Sequence, residues 1–447
     1  MQTHSNFRLL VIRLGAMGDI LHALPAVTAL RLAHPDWQID WVVEPRWRAL
    51  LAADDSFALK GHDFSRAAEN PLSEPALAAE GCISSSQTIP QGLKPHLLLV
   101  PSDGAAKAAP FQNNPTQSLF QNNPAQPVVD HLHFAATKAW RKALFSRQTR
   151  TEFMALRAAL KAADYDAVID LQGSLRSALI ASLAGCRRLI GEENPRERPA
   201  RWLFTERVAT HGAHVIEQDL ELASAIAGDN LQPVLPWLPV DPAAEAWADE
   251  ILPEGDREVH RFPGPKIRIW GIQHSEDGQL NNGQPAVLIN PGAGWGAKRW
   301  PAERYAAVAQ GLIELGYRVL INVGPGEEPL AEVIVRQTAG AATALTCSLA
   351  QLIALTRRVR LAIAGDTGPL HLACALGVPV VGVYGPTDPS RNGPFGSRFT
   401  VLRSPESRRD HSRYEAPEAG LLTIQPKEVL HAAGALLYPE KASEANR

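Results

Sequence analysis

The stretch FRLLVIRLGAMGDILHALPAVTALRLAHPDWQIDWVV, residues 7–43, decides the fold class. Residues 7–12 form an apolar run of strand length, 15–18 interrupt it with two glycines, 20–31 repeat apolar residues at helical spacing, and 39–43 are a second apolar run. Strand, turn, helix and strand in that order make a β-α-β unit, whose strands lie parallel in a sheet covered on both faces. The same rhythm resumes with a helix over 153–163, a strand over 167–171, a helix over 175–183 and a strand over 188–190. From 285 it starts again, with strands at 286–290, 318–323, 361–364 and 378–384 between helices at 302–315, 328–337, 349–357 and 369–376. The expected fold is therefore α/β, with two doubly wound domains facing each other across a cleft, and ligands bind such sheets beyond the carboxyl ends of their strands.

The first domain is expected over 1–250, a linker with an insertion over 251–284, the second domain over 285–437 and a tail over 438–447. Within the first, 63–126 lacks any sustained period, is rich in Ala, Pro, Ser, Asn and Gln, and duplicates the motif FQNNP at 111 and 120. Too little of it is apolar to build a core, so it reads as a disordered insertion. At 447 residues and 45% hydrophobic, the rest has ample core material for two domains. Forty-four basic against 47 acidic side chains leave a net charge of −3, which provides no general field for nucleic acid, so anion sites must be local. Cysteines 82, 186, 347 and 374 include no C-x-x-C pair, which argues against a zinc site or disulfide framework and for a reducing, cytoplasmic compartment. No leader-like apolar segment with a cleavage site and no 18-residue apolar window occurs.

Chemistry gathers at three strand-end loops of the second half. The run AGDTGPLHLA, 364–373, places Thr367 and Gly368 where unpaired N–H groups open a helix, a place for a phosphate as well as for a plain helix cap. The loop from Asn290 to Trp300 offers Gly292 and Gly294 for close backbone approach and Lys298 as a cation, and Glu327 or Glu328 supplies a carboxylate suited to sugar hydroxyls. Together they describe a pocket for a nucleoside diphosphate. The turn at 15–19 has the wrong spacing for a dinucleotide fingerprint and no G-K-[ST] loop occurs, which weakens oxidoreductase and ATP-hydrolysis readings. The only D-x-D spacing, Asp164 to Asp166, precedes a strand instead of following one. Lys138, Arg141, Lys142, Arg147 and Arg150, beside Trp140 and Phe145, form the strongest local basic patch of the first domain, suited to an anionic ligand at a lipid surface or to a solvated helix face.

The run from Arg13 to Pro25, RLGAMGDILHALP, resembles the N-terminal signature of the lipopolysaccharide heptosyltransferases, glycosyltransferase family 9, and both DTGPLHLA and YGPTDP at 384–389 look like that family's donor signatures. Within the family, WVVE at 41–44, WRKA at 140–143, DLQG at 170–173 and Arg196-Glu197 resemble the branch that adds the first heptose, heptosyltransferase I. The resemblance covers about 1–62, 127–250 and 285–437. It implies a GT-B fold, an ADP-heptose donor in the second domain, a Kdo-lipid A acceptor in the first, and an inverting reaction with neither an obligatory metal nor a cofactor. It places the enzyme peripherally on the cytoplasmic face of the inner membrane, with no nucleic-acid partner.

Residue by residue, the resemblance implies Asp19 as general base, flanked on the acceptor side by Gly15, Ala16, Met17, Gly18 and His22, with Lys138, Arg141, Lys142 and Arg196 meeting the acidic Kdo sugars. Donor contacts fall to Gly292, Ala293, Lys298, Glu327 or Glu328, Asp366, Thr367, Gly368, Pro369, Leu370 and His371, with Lys298 also catalytic. Cys347 and Leu349 stand where the family lines its adenine pocket, although Met or Thr is expected at 347. An Asp opening a helix has its charged form stabilised and is a weak base, which suits a reaction in which proton transfer lags behind departure of the diphosphate. Competing readings are a family 9 transferase for another sugar position or nucleotide, and a non-catalytic nucleotide-sugar binding protein.

Overall fold

The computed structural model describes residues 7–53, 127–253, 284–409 and 414–438, so the insertion expected at 63–126, most of the linker and the end of the tail lie outside the described residues. The first domain carries strands β1 (Arg8–Ile12), β2 (Gln38–Val43), β3 (His131–Phe134), β4 (Ala167–Asp170), β5 (Leu189–Glu192) and β6 (Glu206–Val208). Its helices are α1 (Met17–Ala33), α2 (Thr137–Lys142), α3 (Arg147–Ala162), α4 (Leu175–Ser182) and α5 (Val215–Ala227), followed by α6 (Pro242–Ile251). The second domain has β7 (Ala286–Asn290), β8 (Arg318–Asn322), β9 (Thr343–Leu345), β10 (Leu361–Gly365), β11 (Val380–Tyr384) and β12 (Phe399–Arg403). Between and after them run α7 (Ala302–Glu314), α8 (Glu328–Gln337), α9 (Leu349–Thr356), α10 (Gly368–Ala375), α11 (Pro389–Asn392) and α12 (Pro426–Leu437).

Both sheets are parallel throughout the described pairings and share one topology. The first has the order β3-β2-β1-β4-β5-β6 and the second β12-β11-β10-β7-β8-β9. The order reverses between β1 and β4 in one and between β7 and β10 in the other, so each domain has a crevice at that switch point.

Helix α1 is buried on nearly every side, from Met17 through Arg31, and its sequence is correspondingly apolar all round. Helix α5 covers part of it and α10 of the second domain covers its beginning, while Leu9, Val11 and Trp41 of the first sheet share its apolar cluster. One apolar core accordingly runs from Leu9, Trp41 and Leu24 of the first domain to Leu370 and Leu372 of the second. Helices α2 to α4 cover the opposite face of the first sheet, around Leu10, Ile12, Leu156 and Ala178.

Three differences from the sequence reading have physical causes. The helix expected from residue 20 begins at Met17, because Asp19 binds the Ala16 amide and completes the first turn. Strands β3, β6, β9 and β12 escaped notice: all four lie at sheet edges, and β6 and β9 are three residues long and not fully buried. Helix α6, counted with the first domain, packs on α9 of the second, with Ala244 and Ala248 against Ala354 and Glu245 paired with Arg357 and Arg358.

Candidate active site between the two switch points

The loops that leave β1 and β10 meet across the domain boundary. A Cβ placed on Gly368 would lie 2.6 Å from the Met17 sulfur, and one on Gly18 would lie 2.9 Å from the His371 ring, so both glycines are demanded by the closeness of the two turns. Met17, expected among the acceptor residues, is instead buried in this contact. His22 is likewise buried, and it does not reach Asp19: its Nε2 hydrogen-bonds His371 Nδ1 at 3.1 Å. Sequence spacing put His22 one helical turn from Asp19, but the side chain follows the α10 side of α1.

On the second domain's side, Asp366 is the centre of the turn. Its Oδ2 accepts from the Lys298 ammonium, and its Oδ1 lies 3.2 Å from His371 Nε2. Burial opposes ionisation of Asp366, but the His371 hydrogen bond and the Lys298 charge outweigh it and hold the carboxyl well below the usual carboxylate range. Lys298 also stands 4.1 Å from the centre of the Trp295 ring, whose face stabilises the cation. Thr367 precedes the first turn of α10, and among the described residues no backbone carbonyl takes the amides of Thr367 or Gly368. Those amides and Lys298 are thus gathered at one helix start, the arrangement that binds phosphate.

Of the two glutamates left open by the sequence, Glu327 is the one beside the glycine loop: it accepts from the Gly324 amide at 3.0 Å, and a Cβ on Gly292 would collide with its carboxylate. Glu328 begins α8 and is exposed. Ala293 is buried next to Gly292. Cys347 and Leu349 are half-buried at the start of α9, and burial pushes the Cys347 thiol up to about 11. Pro369 lies in the first turn of α10. Leu370 departs from expectation: it is fully buried and packs toward Gly382 of β11, because the face of α10 it occupies lies on the sheet.

On the first domain's side, the Asp19 carboxylate is about a third exposed, accepts from the Ala16 amide at 3.1 Å and lies 3.9 Å from the Arg13 guanidinium. Gly15 has φ +136°, and a Cβ there would strike the Trp47 indole, so the turn before Asp19 requires glycine. Arg13 is buried, donates from Nε to the Asp19 carbonyl at 3.0 Å, and approaches Asp219 of α5 at 3.9 Å. Burial raises Asp219 to about 7 although Arg13 opposes the rise. Burial likewise raises Asp170 to about 6, against the Gln172 and Gly173 amides that it accepts.

Lys138, Arg141, Lys142 and Arg196 are all exposed. Partial burial lowers the Lys138 ammonium, and so do Arg46, Arg141 and Arg176 around it, against the pull of Glu44. Arg46 and Arg176 are therefore members of the same cationic group, which sequence reasoning confined to 138–150. Their signal was positional: Arg46 follows the end of β2 and Arg176 follows the end of β4. The Arg196 amide stands 3.1 Å from a Cβ placed on Gly173, so that segment folds over the β4 loop. Asn290, at the end of β7, was also passed over: Asn322 donates to its Oδ1 at 2.8 Å, and its own Nδ2 has no partner among the described residues. No group of three His, Cys, Asp or Glu side chains among the described residues is spaced to hold a metal ion.

Comparison with known proteins agrees with the fold. The family profile of glycosyltransferase family 9 (heptosyltransferase) matches residues 153–421. Lipopolysaccharide heptosyltransferase 1 of Pseudomonas aeruginosa is 26% identical over 404 residues, 89% of this chain and 84% of the relative. Its counterpart from Escherichia coli K12 is 26% identical over 403 residues, 89% and 94% of the two chains. Among solved structures, the E. coli heptosyltransferase WaaC with ADP superposes with a TM-score of 0.63 at 22% identity, covering 96% of this chain and all of that one. E. coli ADP-heptose LPS heptosyltransferase II gives 0.59 at 20% identity, covering 97% of this chain and 100% of the other. The two facing doubly wound domains are thus the GT-B architecture of these enzymes.

Proposed function

This chain belongs to glycosyltransferase family 9, the heptosyltransferases, and from that premise we propose that it moves heptose from ADP-L-glycero-D-manno-heptose to a Kdo sugar of the lipopolysaccharide inner core. The observation that carries the reading is the abutment of the Asp19 turn with the Asp366–Gly368 turn, which brings a partly exposed carboxylate and a phosphate-type helix start to the two sides of one boundary. The first-heptose position is favoured over the second because the heptosyltransferase 1 relatives align over 89% of the chain, whereas a heptosyltransferase 2 of E. coli aligns over 36%.

In this mechanism the acceptor hydroxyl oxygen attacks the anomeric carbon from the face opposite the diphosphate, inverting that centre. The bond from that carbon to the β-phosphate oxygen breaks, its electron pair leaves on ADP, and the hydroxyl proton passes to Asp19. The Ala16 amide and the Arg13 guanidinium hold the Asp19 carboxylate in place, and the proton moves to it late, once the sugar carbon has become cationic and the hydroxyl acidic. Lys298 and the amides of Thr367 and Gly368 take the charge that develops on the departing diphosphate, which is how the site meets that charge without a metal. Glu327 suits the ribose or sugar hydroxyls, with Cys347 and Leu349 along the adenine.

The cationic group of Arg46, Lys138, Arg141 and Arg176 is directed at the carboxylates and phosphates of a Kdo-lipid A acceptor. The enzyme then works peripherally on the cytoplasmic face of the inner membrane. Among the described residues no helix is long and apolar enough to cross that membrane. Asp19→Ala is expected to lower kcat about 10³-fold while calorimetric ADP binding stays within about twofold of the parent. Retention of most of the turnover removes Asp19 from the base role, and mass spectrometry of the product from Kdo-lipid A identifies the position of transfer.

A further inference from the structure

The hydrogen bond between His22 and His371 joins the two domains, yet nothing in the proposed mechanism uses His22. Both rings are almost fully buried, with 4% and 6% exposure, so their protons must be accounted for without water. Asp366 is ionised and only accepts, so the hydrogen between it and His371 belongs to His371 Nε2. Burial first, then His371, His214 and Arg13, keep His22 neutral.

Two assignments connect the rings. In one, neutral His371 leaves Nδ1 as an acceptor and His22 donates from Nε2; the His22 Nδ1 lone pair is then the atom left without a partner. In the other, His371 is an imidazolium that donates to His22, and a buried His22 Nδ1–H is left without an acceptor. An orphaned buried N–H is the rarer and costlier of the two, so the first assignment holds. The chain of donors then runs from His22 Nε2–H to His371 Nδ1, and from His371 Nε2–H to the Asp366 carboxylate.

We propose that His22, although it belongs to the first domain, is a positioning residue for the donor turn of the second: it fixes His371 in the Nε2–H tautomer and so aims that hydrogen at Asp366 whenever the domains are in contact. The ring cannot retreat on its other side, since the space a Cβ on Gly18 would occupy is already taken by His371 Cδ2. Asp366 in turn holds Lys298. The geometry of the cation and carboxylate that face a nucleoside diphosphate sugar is thereby conditional on a residue of the acceptor domain, which couples assembly of the donor site to closure of the cleft. The inference rests on reading the Asp366–Gly368 turn as the donor site.

The test is a pair of substitutions with opposite expectations. Gln reaches from the same backbone position with an amide nitrogen in place of Nε2, whereas Leu fills the buried space and donates nothing. A positioning role makes His22→Gln retain kcat/KM for ADP-heptose within about threefold and makes His22→Leu lose about tenfold or more. A role in packing alone reverses that order, with Leu tolerated and Gln damaging, and overturns the proposal. In the parent enzyme, nitrogen-15 NMR of the histidine rings is expected to show protonated Nε2 and bare Nδ1 for His371; the opposite tautomer also overturns it, whatever the variants do. Calorimetry with ADP separates the premises: a parent that fails to bind ADP refutes the donor-site reading, while a parent that binds ADP beside a fully active His22→Leu refutes only the role of His22.

Discussion

Lys298 and Asp366 show how one residue pair sets the state of the site before any ligand arrives. With 10% and 9% side-chain exposure, each would be a buried charge without the other, and removing one partner of such a pair costs more than the pair contributes. An arriving diphosphate therefore competes with Asp366 for an ammonium that is already oriented, and Trp295 supports that ammonium from one side. Lys298→Ala is expected to lower kcat by about 10²–10³-fold, the usual scale for removing a group that meets developing charge. It also leaves Asp366 with His371 alone, so a double-mutant cycle with Asp366→Asn should be non-additive by at least about 1 kcal/mol in thermal stability, the double variant being less damaged than the sum. Additive losses would show that the two side chains act independently and that the ion pair does not pre-set Lys298.

Most of the large apolar side chains that the described surface exposes lie on α3, on α4 or in the segments beside them. Phe145 is 96% exposed and Leu144 is 61% exposed, in the α2–α3 connection, with Met154 on α3, Leu179 on α4 and Trp202 close to α4. Arg141, Lys142, Arg147 and Arg150 are interleaved with the first of these, a composition suited to an anionic lipid surface, where each cation contributes about 1 kcal/mol and a buried Phe about 2. A Leu144→Ser, Phe145→Ser variant is expected to lose about tenfold or more in affinity for vesicles containing phosphatidylglycerol, with ADP binding unchanged. Equal binding by variant and parent would detach this layer from the membrane. The basic run and Phe145 were legible in the sequence because they are contiguous. What stayed hidden depends on distance along the chain: Arg46 and Arg176 join the cationic group only through strand order, Asp219 reaches Arg13 from a helix with no sequence assignment, and Leu370 reads as a site residue until α10 is laid on its sheet. The β-α-β rhythm and the glycine turns survived translation because they are local, backbone-level signals.

At the scale of the whole molecule, two histidines of the first domain hold the second in their neutral forms. His22 meets His371, and His214 donates from Nε2 to the Gly393 carbonyl at 3.1 Å while its ring stacks on Phe395. Burial lowers His214 to about 4, with the Gly393 bond opposing and His371 adding to the fall, and burial pushes His22 well below its usual value. Opening the cleft hydrates both rings and returns them toward an ordinary value near 6.5. Below 6.5 the open form therefore takes up protons that the closed form refuses, so the contact is fully stable above that pH and loses stability as pH falls toward 4. His214 alone accounts for up to about 3 kcal/mol over that interval, at about 1.4 kcal/mol per pH unit. Global unfolding is a poor probe of this effect, because Asp170 and Asp219, raised to about 6 and about 7, slope the other way: the native state keeps protons there that the unfolded chain has shed, so their contribution falls as pH rises from about 4. Those carboxylates lie within the first domain, and their partners Arg13, Gln172 and Gly173 belong to that domain as well. Small-angle X-ray scattering is thus expected to show the radius of gyration rising between pH 6.5 and 4.5 before circular dichroism is lost, and His214→Phe, which keeps the stack on Phe395 without a titratable ring, should flatten the rise. A radius that stays constant until secondary structure melts would mean that the histidine contacts do not govern closure.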